Sequence, residues 1–94
     1  MIMGRERVLF KSEEKKSNVE IVSMLRTIAD RIEQGRLTLR QRDNEVVLDF
    51  PSQMTLEIKV EEEKKKRKGT KMQLEIELEW YPGADEGDQG VTIG

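Results

Sequence analysis

Cysteine and histidine are both absent from these 94 residues. Their absence removes disulfides, thiol nucleophiles, thiolate zinc sites and imidazole acid–base catalysis together. Aromatic residues are sparse, with two Phe, one Tyr and one Trp, so the core has to be built largely from aliphatic side chains. No apolar run approaches the ~18 residues needed to span a bilayer. The opening MIMGRERVLF has no apolar stretch leading into a cleavage site. A cytoplasmic protein with no membrane association is expected. One sign of charge is not in excess either: 17 Lys plus Arg stand against 19 Asp plus Glu, a formal charge of −2. No global field therefore draws the chain to nucleic acid, and any such binding must rest on a local patch.

What is present is patterning. RERVLFKS reads as a short first strand with Val8 and Phe10 on one face. In SNVE, Ser17 and Glu20 stand three apart, the spacing of a reciprocal capping box, so a helix should start there. Ile21, Val22, Leu25, Ile28, Ala29 and Ile32 then recur at spacings of three and four and form one apolar arc. Gly35 supplies the left-handed residue that ends such a helix. Beyond it the period changes to two. RLTLRQ, VVLDF, QMTLEIKVEEE and MQLEIELEW each alternate apolar and polar side chains, with turn chemistry at RDNE, Pro51 and KKKRKGT. The predicted fold class is α+β in the order β-α-β-β-β-β, a mostly antiparallel sheet with one amphipathic helix packed on one face. A single domain is expected over residues 5–81, followed by a mobile acidic, glycine-rich tail at 82–94.

Strict alternation also fixes which residues meet water. A slip of one position would bury Glu75, Glu77 and Glu79, so these glutamates lock the register of the last strand. Trp80 continues the inward series and is expected to close one end of the core; the competing role is a partner anchor.

VLFKSEEKKS, LRTIADRIEQGRLTLRQ and LEIELEW together resemble the small prokaryotic family named for its amphi-Trp domain, whose final amphipathic strand ends in tryptophan. The likeness covers roughly residues 6–81. It implies that the strand ending at Trp80 is the signature of the domain. It carries over no functional residue and no chemistry.

Two surfaces are candidates for function. On the outer face Glu57 and Glu61 project beside Glu75, Glu77 and Glu79, with Lys59 among them. A flat ladder of glutamates does not converge as a calcium site must, and on an open face solvent screens the raised pKa that paired-carboxylate catalysis needs. No metal, cofactor or catalytic residue is expected, and the chain reads as a non-enzymatic interaction domain. Its expected partner is another protein, bound through Glu75, Glu77, Glu79 and Trp80 at the sheet edge or outer face. The alternative is weak nucleic-acid or anion binding through the basic tip 64–71, carried by Lys64, Lys65, Lys66, Arg67 and Lys68. Against it, no aromatic residue interleaves the run and VEEE sits beside it as counter-charge. A monomer or weak homodimer is expected. Whether the first strand fills the edge of the last strand, or leaves it open to a partner, is undecided by the pattern.

Overall fold

The computed structural model describes residues 5–83. They comprise one helix and four antiparallel strands: α1 (Asn18–Gln34), β1 (Arg36–Gln41), β2 (Asn44–Asp49), β3 (Thr55–Lys65) and β4 (Gly69–Glu79). This is the predicted α+β arrangement. The chain divides into two compact units, Met1–Phe50 and Pro51–Gly94.

In the first unit both helix ends follow from the sequence. Ser17 Oγ accepts from the Glu20 amide at 3.2 Å, while Glu20 Oε1 accepts from the Ser17 amide at 3.0 Å, so two otherwise unpaired donors are satisfied. At the other end Gly35 has φ 96°, and its amide donates to the Arg31 and Ile32 carbonyls. β1 and β2 form a hairpin in which Leu37 faces Leu48 and Leu39 faces Val46. Arg36 pairs with Asp49 at 2.6 Å and Arg40 with Glu45, each directly across the ladder. Helix α1 packs on β1. Leu37 is the buried residue of this core, 9% exposed, with Ile28, Ile32, Leu39, Leu48 and Phe50 half-buried.

The expected first strand is not formed. Among the described residues, 5–17 carry no strand, and Val8 is 75% exposed. Three consecutive apolar residues among charged neighbours offer too short a ladder. The segment is held by a side chain instead, the Asn44 amide donating to the Leu9 carbonyl at 3.0 Å. Within RDNE the turn itself is Arg42–Asp43, with Arg42 at φ 54°, and Asn44 opens β2.

The second unit is one long hairpin. β3 and β4 pair over eleven residues each, from Thr55 opposite Glu79 to Lys65 opposite Gly69. The strands make two two-stranded sheets rather than one continuous sheet. Pro51, which has no amide hydrogen, follows β2, and β3 begins only at Thr55. Alternation determines which face a residue occupies but not which strand it pairs with. Leu56–Leu78, Ile58–Ile76 and Val60–Leu74 are opposed on one face. Of the acidic tail expected at 82–94, residues 84–94 lie outside the described residues.

Candidate functional site

The β3–β4 register fixes which side chains of the candidate acidic surface share a face. The register sets Glu57 opposite Glu77, Lys59 opposite Glu75, Glu61 opposite Gln73 and Thr55 opposite Glu79, all on the face away from the aliphatic stripe. Lys59 Nζ lies 3.2 Å from Glu75 Oε2. The Glu75 bond raises the Lys59 pKa above its ordinary value, with the nearby charges of Glu61 and Glu75 adding to it.

Glu77 has no such cation. Directly opposite is Glu57, and the hydrogen bond between the two carboxyls is the largest cause of a raised Glu77 pKa, followed by the charge of Glu79. Two carboxylates held opposite one another destabilise a ladder, and one of them keeps its proton more readily. The row from Glu75 to Glu79 is thus negative, with Lys59 neutralising only one end of it.

Trp80 stands one residue beyond β4 and is half-buried. It lines a cleft of about 680 Å³ with Met54, Thr55, Leu78, Glu79, Tyr81 and Pro82. The sequence places Trp80 but says nothing of Tyr81, which is 82% exposed beside it. The signal available was the run WYP at the exit of a strand, where proline stops pairing and leaves consecutive aromatic side chains at the rim.

Among the described residues no strand pairs with the outer edge of β4. Within them the strand hydrogen-bonds only to β3, so every second amide and carbonyl along its other side faces away from the ladder.

The basic tip is more dispersed than its sequence run suggests. Lys66, Arg67 and Lys68 form the turn, whereas Lys64 and Lys65 lie within β3 and alternate between its faces. Lys65 Nζ is 3.3 Å from Glu63 Oε1, and Lys71 stands opposite Glu63. Counter-charge is therefore built into the tip itself.

Among the described residues no helix is long and apolar enough to cross a membrane. A search of curated proteins finds no match, and a search of solved structures finds none either. The family model of the Amphi-Trp domain matches residues 3–94, so the likeness extends through the acidic tail rather than ending near Tyr81. With its helix, its four antiparallel strands and the amphipathic strand running into Trp80, the chain belongs to the Amphi-Trp domain family.

Proposed function

We propose that this chain is a non-enzymatic, cytoplasmic interaction domain that binds another protein by accepting an extended strand on the edge of β4. The observation that carries this reading is the unpaired edge: β4 is eleven residues long and, among the described residues, pairs on one side only. A strand added there gains backbone hydrogen bonds along its length, which supply affinity with little dependence on sequence. Selectivity comes from the face beside the edge. Glu75, Glu77 and Glu79 occur at every second position, so an incoming strand with Lys or Arg at alternate positions meets them in register. The cleft around Trp80 lies at the end of that row and suits an apolar residue at the end of the bound segment.

Binding of a short extended peptide with alternating Val and Lys tests this reading, with the same peptide carrying Glu in place of Lys as the comparison. The proposed function requires the lysine peptide to bind more tightly, with a preference that shrinks as salt rises. Equal affinity for both peptides contradicts it. The alternative, anion or nucleic-acid binding through Lys64, Lys65, Lys66, Arg67 and Lys68, is less favoured because Glu63 pairs with Lys65 and faces Lys71 at the base of the tip.

A further inference from the structure

We draw no further inference here: the strongest candidate, the aliphatic stripe of Leu56, Ile58, Val60, Leu74 and Ile76 along one face of the β3–β4 hairpin, carries nothing because nothing in the structure shows what covers it.

Discussion

Glu57 and Glu77 face each other directly across the β3–β4 ladder, and hydrogen bonding to the Glu57 carboxyl is the largest cause that holds the Glu77 pKa above its ordinary value. The pair is a repulsion retained on an open surface, with a clear pH dependence. In the folded chain Glu77 binds its proton more tightly than an ordinary glutamate does. Its contribution to stability is therefore fully present below the ordinary glutamate pKa and is lost as pH rises through the raised one. Comparing the stability of the unaltered protein with Glu77→Gln across this window should show the unaltered protein losing more stability as pH rises. Parallel pH profiles would mean that the two carboxyls do not interact.

Binding of a basic partner should show the reverse trend. A cation beside Glu77 favours the charged carboxylate, so complex formation releases a proton near the raised pKa. Affinity for a lysine-rich strand should fall as pH is lowered through that range, and calorimetry in buffers of different ionisation enthalpy should detect the proton.

The capping box has the opposite acid response. The bond from the Ser17 backbone, then that from its side chain, hold the Glu20 pKa below 4.5. The stability it confers is present above that value and is lost as pH falls through the lowered one. Ser17→Ala should cost about 1 kcal/mol by leaving a helix amide unpaired. Thermal melts at neutral pH measure this directly.

Gly35 separates torsion from crowding. A Cβ added there would meet nothing within 4 Å, yet the residue sits at φ 96°. Gly35→Ala should therefore cost about 1–2 kcal/mol through backbone strain alone, and Gly35→Asn less, since asparagine tolerates the left-handed region. A cost equal for both variants would point to side-chain packing instead.

Much of this was legible in the sequence because it depends on neighbours a few residues apart. Ser17, Glu20 and Gly35 announce the helix ends, and the period-two run from Met72 sorts Leu74, Ile76 and Leu78 from Glu75, Glu77 and Glu79 without any knowledge of a partner strand. Pairing was harder. Val8, Leu9 and Phe10 have the composition of a strand, but a ladder needs a partner along its length, and the structure gives this segment the Asn44 side chain instead. Division into two sheets was likewise hidden, because Leu48 and Leu56 carry the same alternation whether or not their strands are adjacent. The Trp80 cleft was half visible: phase placed the indole, but the exposure of Tyr81 depends on the chain's path after β4 ends.

Amide hydrogen exchange along β4 tests the central claim, acceptance of a strand at its unpaired edge. In the free protein, amides of Leu74 to Leu78 should fall into two alternating classes, those bonded to β3 exchanging slowly and those pointing outward exchanging fast. Adding the alternating Val and Lys peptide should slow the outward class selectively. Slow exchange on both sides before any peptide is added, or an outward class that stays fast when the peptide is bound, would contradict the account.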